Sequence, residues 1–191
     1  MPIIECGPCT LRPWRVDDLD SLVRNADDRE VWLTLRDRFP HPYTIDAGRT
    51  WLAAASVEDP PTALAIDVDG EAVGGIGVVP GADVNRHAAE LGYWLGRAWW
   101  NRGIATAAVR RFVPWTAETF GFLRLFAQVF ETNPASMRVL EKCGFHREGV
   151  LRSHARKDGR YLDEVVFGIV LDGLGPKSAR QSPDTNPGPV S

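Results

Sequence analysis

No stretch of this sequence holds the roughly 20 consecutive apolar residues that a membrane-spanning helix needs, so no membrane partner is expected. Cysteine is scarce and odd in number: three thiols argue against a disulfide framework. An excess of one charge is also lacking. A formal net charge of −3 over 191 residues argues against bulk affinity for nucleic acid, with a local basic patch as the alternative, and no direct nucleic-acid partner is expected. The opening MPIIECGPCTLRPW has no basic segment leading into an apolar one, so the expected location is cytoplasmic. There is no internal repeat, and no GK[ST] loop for a nucleoside triphosphate.

Two short motifs are weaker than they look. GGIGVV (74–79) resembles part of a dinucleotide fingerprint, yet Pro80 stands where a third glycine belongs and no helix follows. Glycines in a strand mark a bulge or the close approach of another chain. CGPC (6–9) has redox spacing, but a reactive first cysteine needs a helix start, and TLRPW continues as an extended chain.

What is present is an alternation of periods. CTLRPW (9–14) reads as a strand, 16–28 as a helix, 29–39 as a helical continuation broken by PHPY, and 45–56 as a helix with Asp46 as its cap. The pattern then alternates: 62–70 and 71–80 form a hairpin across Asp69-Gly70, and 88–96 forms a third strand. A helix follows to about residue 120, with a kink expected near Pro114. Next come a strand (123–130), a helix (133–144) begun by Asn133-Pro134 and ended by Gly144, and two strands (145–156, 160–171) joined by KDG. The fold class is α/β in the α+β sense. It is a mostly antiparallel twisted sheet of six to seven strands flanked by helices, with one parallel β-α-β crossing. Residues 1–174 are expected to form a single domain and 175–191, rich in proline and small polar residues, a disordered tail.

Chemistry concentrates at two helix starts. In WLGRAWWNRGIAT (94–106) a strand gives way to a helix beginning at Gly103, whose first amides lack intrahelical partners and favour an anion. Packing against the sheet is the equal alternative on that stretch alone. NPAS (133–136) sets a second helix start at the end of the next parallel strand, where open α/β sheets bind ligands, and this favours the anion reading.

With ELGYWLG (90–96), WWNRGIATAAV (99–109), ETNPASMRVLEKCGFHREGVLR (131–152) and KDGRYLDEVVFGIVL (157–171), the sequence resembles the GNAT superfamily of N-acetyltransferases, and within it the RimJ/RimL-like group. The resemblance covers nearly all of 9–171 and also takes in FPHPYT (39–44). It implies an acetyl-CoA-dependent transferase acting in a direct ternary complex, with an acyl-CoA cleft at the parallel crossing and no metal. WNRGIA matches the family's pyrophosphate loop, so Arg102, Gly103, Ile104, Ala105 and Thr106 are implied as CoA-binding, together with backbone at Leu95 and Asn133 along the pantetheine arm. Glu90 matches the position of a general base; an ordinary acid at a strand start is the alternative. The family's usual tyrosine acid is replaced by Leu140, so Ser136 is implied as the group that hydrogen-bonds the CoA sulfur, against the alternative of a plain first-turn serine. Tyr93, Trp94 and Trp99 are left without a defined role. The implied acceptor is a protein N-terminal amine, with small amines (polyamines, aminoglycosides, amino-acid-like metabolites) and a non-catalytic acyl-CoA-binding module as alternatives. Relatives dimerise near the C-terminal hairpin, which implies a homodimer. Cys143 is placed by its spacing on the far side of the helix from Ser136, which argues against a covalent acetyl-enzyme.

Overall fold

A computed structural model describes residues 2–55, 57 and 59–171. The proposed tail lies outside the described residues. One eight-stranded sheet runs in the order β1-β2-β3-β4-β5-β6-β8-β7. Its strands are β1 (Ile4–Glu5), β2 (Thr10–Arg12), β3 (Ala63–Val68), β4 (Glu71–Pro80), β5 (Ala88–Leu95), β6 (Arg124–Phe130), β7 (His146–Lys157) and β8 (Arg160–Val170). The helices are α1 (Leu19–Ala26), α2 (Arg29–Leu33), α3 (Ile45–Ala55), α4 (Ile104–Phe120) and α5 (Pro134–Lys142). Strand β1 is an addition to the seven read from the sequence; it forms because the CGPC segment turns back on itself, with Cys6 N–H donating to Cys9 O at 2.9 Å. No helix starts at either cysteine, and both thiols are free.

Two local expectations are corrected. The stretch 29–39 is helical only to Leu33; beyond it the side chains of Arg36 and Asp37 are drawn across to the sheet, and this tertiary pull overrides helical spacing. The cap of α3 is Thr44, whose hydroxyl accepts from Ala47 N–H at 3.2 Å, while Asp46 lies inside the first turn. Residues 97–99 form a separate 3-10 turn, and the long helix begins at Ile104 with Gly103 as its cap, as the sequence places it. That helix then runs unbroken through Pro114 to Phe120.

Two apolar layers fix the faces of the sheet. One face buries Leu64, Leu91 and Leu125 against Ile104, Val109 and Phe112 of α4 and Leu140 of α5. The other face packs Ala65, Ala72 and Trp94 against Leu22 of α1 and Leu52 of α3. The glycines of β4 are there for closeness: a Cβ on Gly74 would stand 2.2 Å from Trp94 O, so only glycine lets β4 and β5 approach.

An ion pair pins α1 to the sheet. Arg24 lies 2.8 Å from Glu71 Oε1, which Asn25 Nδ2 also reaches at 2.9 Å. The Arg24 bond, then that from Asn25, holds the Glu71 carboxyl below its ordinary value. A carboxylate favoured by folding stabilises above its unfolded pKa of about 4.3, and that contribution is lost as pH falls through the folded value. Glu71→Gln is therefore expected to lower the melting temperature at pH 7, with the difference from wild type closing toward pH 3. A gap independent of pH would refute the ion-pair account.

Candidate active site

Strands β5 and β6 pair in parallel over only three positions: Ala88 with Arg124, Ala89 with Leu125, and Glu90 with Phe126. Beyond them β5 continues against β4 alone and β6 against β8 alone. The two strands part after Glu90, and the wedge between them is the candidate site.

On the α4/α5 face, the wedge is bridged by hydroxyls. Tyr93 on β5 alternates onto the side of Leu91 and Leu95, and its hydroxyl lies 2.8 Å from Ser136 Oγ and 3.2 Å from Ser136 O. Ser136 sits there because Asn133 caps α5: the Asn133 side chain accepts from Ser136 N–H at 3.1 Å, and Pro134 takes the first helical position. Burial raises the Tyr93 phenol, with the Ser136 bond opposing it, so Tyr93 stays protonated through the working pH range. Leu140, on the same helix as Ser136, is fully buried and carries no donor.

On the opposite face the bridge is ionic. Arg36 donates to both Glu90 oxygens, at 3.0 Å through Nη1 and more closely through Nη2, and to Gln128 Oε1 at 2.7 Å. It thus ties β5 to β6 where they diverge. Beside it, Lys157 pairs with Asp37 at 2.7 Å and stands 3.6 Å over the Trp32 ring. Phe39 packs 5.2 Å from Trp94 and 4.8 Å from Tyr43, forming an aromatic flank on the same side. Desolvation pushes the Tyr43 phenol up to about 12.

At the start of α4, Gly103 has φ +77, a left-handed conformation that favours glycine, and a Cβ there would meet open space. The first helical bond returns from Ala107 N–H to Gly103 O at 3.0 Å, so the amides of Ile104, Ala105 and Thr106 point out of the helix end. A cavity of about 430 Å3 adjoins them, lined by Gly103, Thr106, Ala107, Arg110 and Lys142. Outward amides, a positive dipole end and two cations suit a pyrophosphate or phosphate ester. The sequence reading had Arg102 supply the charge, but its guanidinium lies 4.9 Å over the Trp99 ring, and Arg110 and Lys142 stand at the cavity instead. Their signal was present: Arg110 follows Thr106 by one helical turn. Leu95 ends β5, and its carbonyl accepts from Trp100 Nε1 at 2.9 Å, which anchors the loop into α4. Cys143 lies nearer the site than its spacing implied, with Sγ 3.5 Å from Thr106 O; burial raises its thiol and keeps it a poor nucleophile. Among the described residues no group of three or more His, Cys, Asp or Glu is arranged to hold a metal.

The chain matches the acetyltransferase (GNAT) domain family over residues 9–146. It is 28% identical over 104 residues to the ribosomal protein uS5-alanine N-acetyltransferase of Escherichia coli K12, covering 53% of this chain and 54% of that protein. To the L-amino acid N-acetyltransferase AaaT of the same organism it is 29% identical over 104 residues, covering 54% and 64%. The structure of Mycobacterium smegmatis RimJ in complex with CoA-disulfide superposes with a TM-score of 0.74 at 25% identity, covering 95% of this chain and 89% of that one. The chain spans about half the length of the curated relatives it matches.

Proposed function

Because this chain belongs to the acetyltransferase (GNAT) family, we propose that it moves an acetyl group from acetyl-CoA to a primary amine by direct transfer with both substrates bound. One observation carries this reading: the β5/β6 wedge is bridged by neutral hydroxyls on one face and by an ion pair on the other, with the anion-suited helix start beside the hydroxyl face. In this reading Gly103, Ile104, Ala105 and Thr106 hold the pyrophosphate with their backbone, Arg110 and Lys142 add charge, and Asn133 and the end of β5 at Leu95 flank the pantetheine arm. Ser136 and Tyr93 face the thioester sulfur. Glu90 is the carboxylate on the acceptor side, where it draws the ammonium form of the amine.

The acceptor is a protein N-terminal amine, in keeping with the similarity to the uS5-alanine enzyme. A free L-amino acid is the second reading. The similarity to AaaT supports it, as does the modest volume, about 370 Å3, of the cavity beside Arg36 and Gln128. A cytoplasmic location and a homodimer complete the reading; β7, a 12-residue strand at the edge of the sheet, offers a pairing surface.

The test is ligand-linked stability. Acetyl-CoA at about 100 times its dissociation constant should add about 2.7 kcal/mol and raise the melting temperature, while NAD and ATP at equal concentration should not match it. No shift at millimolar acetyl-CoA would remove the donor from this reading.

A further inference from the structure

Glu164 is a buried carboxylate outside the machinery described so far. It lies on β8, opposite Phe130 of β6 and Leu151 of β7, and is 5% exposed. Its Oε2 stands 2.6 Å from His154 Nδ1. The His154 side chain is 55% exposed, so the ring is gripped on the Nδ1 side while much of it stays open. Both residues line the cavity of about 370 Å3 that Arg36, Gln128 and Phe130 also border. Gln128 lies two residues past the last β5–β6 pair, and Glu164 is its diagonal neighbour across β6–β8, roughly 7–8 Å away in such a pairing. The cavity therefore opens beside the wedge on the face opposite Ser136.

His154 reaches this cavity through a distortion of its strand. The β7–β8 register shifts between Leu151 and Ala155: four residues of β7 advance while two of β8 do. Ser153 carries φ +49, unusual for a serine, and its N–H donates to Asp163 Oδ1 at 2.7 Å. Plain alternation from Leu151, which faces with Glu164, puts residue 154 on the opposite side of the sheet. The bulge turns it back onto Glu164, as bulges re-aim side chains beside sites. A left-handed non-glycine residue is strained, so a position that keeps one points to a use for the geometry it enforces.

We propose that His154, oriented by Glu164, is the base that takes the proton from the acceptor amine. This rests on the transfer reading above. The Glu164 carboxylate accepts from His154 Nδ1–H, which leaves the Nε2 lone pair as the acceptor. The ammonium form of the amine gives one proton to Nε2. The freed nitrogen pair forms the N–C bond at the thioester carbonyl. As the C–S bond breaks, its electron pair leaves on sulfur, and the second nitrogen proton passes to that sulfur through the Ser136–Tyr93 hydroxyls. His154 then releases its proton to solvent, so one proton is liberated per turnover. Both Glu90 oxygens are occupied by Arg36, whereas the outer part of the His154 ring is open. His154 is thus the catalytic residue, Glu164 a positioning one.

The charged groups at this ring are Glu164 of β8, Arg36 and Asp37 of the loop after α2, and Arg156 and Lys157 of its own strand; β6 adds neutral Gln128 and Phe130. The experiment compares wild type, His154→Ala and Glu164→Gln by CoA thiol release. The acceptors are an alanine-starting tetrapeptide, L-phenylalanine, and water alone (slow acetyl-CoA hydrolysis). His154→Ala should lose at least about 100-fold in kcat, lose the acid limb of the kcat–pH profile, keep the acetyl-CoA melting shift, and regain turnover with added imidazole. Glu164→Gln should displace that acid limb. A loss below about threefold, or one confined to KM, overturns the proposal while leaving acetyl transfer intact. A wild type that turns over none of the three acceptors overturns the transfer reading, and this proposal with it.

Discussion

Arg12→Ala is expected to cost about 3–5 kcal/mol of folding stability, the range for removing one partner of a buried ion network. Arg12 is 4% exposed on β2. Its guanidinium donates to Asp18 at 2.8 and 2.7 Å and to Asp67 at 2.7 Å, carboxylates that are themselves 5% and 9% exposed. Without the arginine both acids are buried and unpaired, and neither can move to water without losing a backbone bond. Asp18 Oδ2 accepts from Arg15 N–H at 2.8 Å, which holds the entry to α1, and Asp67 Oδ1 accepts from Gly70 N–H at 2.8 Å, which holds the β3–β4 turn. For the same reason, replacing the triad by apolar residues should not be neutral here. Arg12→Lys should recover only part of the loss, because one ammonium cannot match a fork directed at two carboxylates. Urea unfolding measures this: the midpoint should fall with an unchanged slope. A loss under 1 kcal/mol would mean that the network is hydrated in solution.

The second large effect is expected at the hydroxyl pair. Ser136→Ala should reduce kcat only about tenfold, because the freed Tyr93 hydroxyl still lies at the sulfur position assigned to it. Tyr93→Phe should behave similarly, with Ser136 as the remaining donor. The double variant should lose about 10²–10⁴-fold, the range for a general acid or its equivalent. The singles are then far from additive, since each hydroxyl stands in for the other. Burial raises the Tyr93 phenol, so its hydrogen bond, more than outright ionisation, steadies the departing thiolate. The acetyl-CoA melting shift in each variant separates chemistry from binding. If the double variant keeps wild-type kcat, the pair has no part in the leaving-group step.

Much of the fold was legible in short windows. Asp69-Gly70 makes its turn with both residues at positive φ, and Asn133, Pro134 and Gly144 begin and end α5 as their types require. Gly103 opens α4, and the alternation at 62–70 with the Asp69-Gly70 turn gives the central hairpin. Such signals act over a few residues, where steric limits on φ and capping bonds hold in any context. The helix from 29 to 39 failed for the complementary reason: its spacing is helical, but Arg36 is held by Glu90, 54 residues away, and by Gln128, 92 away.

The site divides along the same line. The sequence by itself determined the two helix starts, the parallel crossing between them and the family's pattern around Glu90, Gly103, Asn133 and Ser136, because glycine, proline and capping side chains constrain the backbone where they stand. Only the tertiary structure decided what those residues meet. Tyr93 joins Ser136 because β5 and α5 converge at the wedge, and Arg36 occupies Glu90 because a loop leaves its helix to do so. His154 turns to Glu164 because a bulge reverses the alternation that a strand pattern assumes. Register, bulges and the parting of two strands are set by the sum of contacts across the sheet, and no window of a few residues contains that sum.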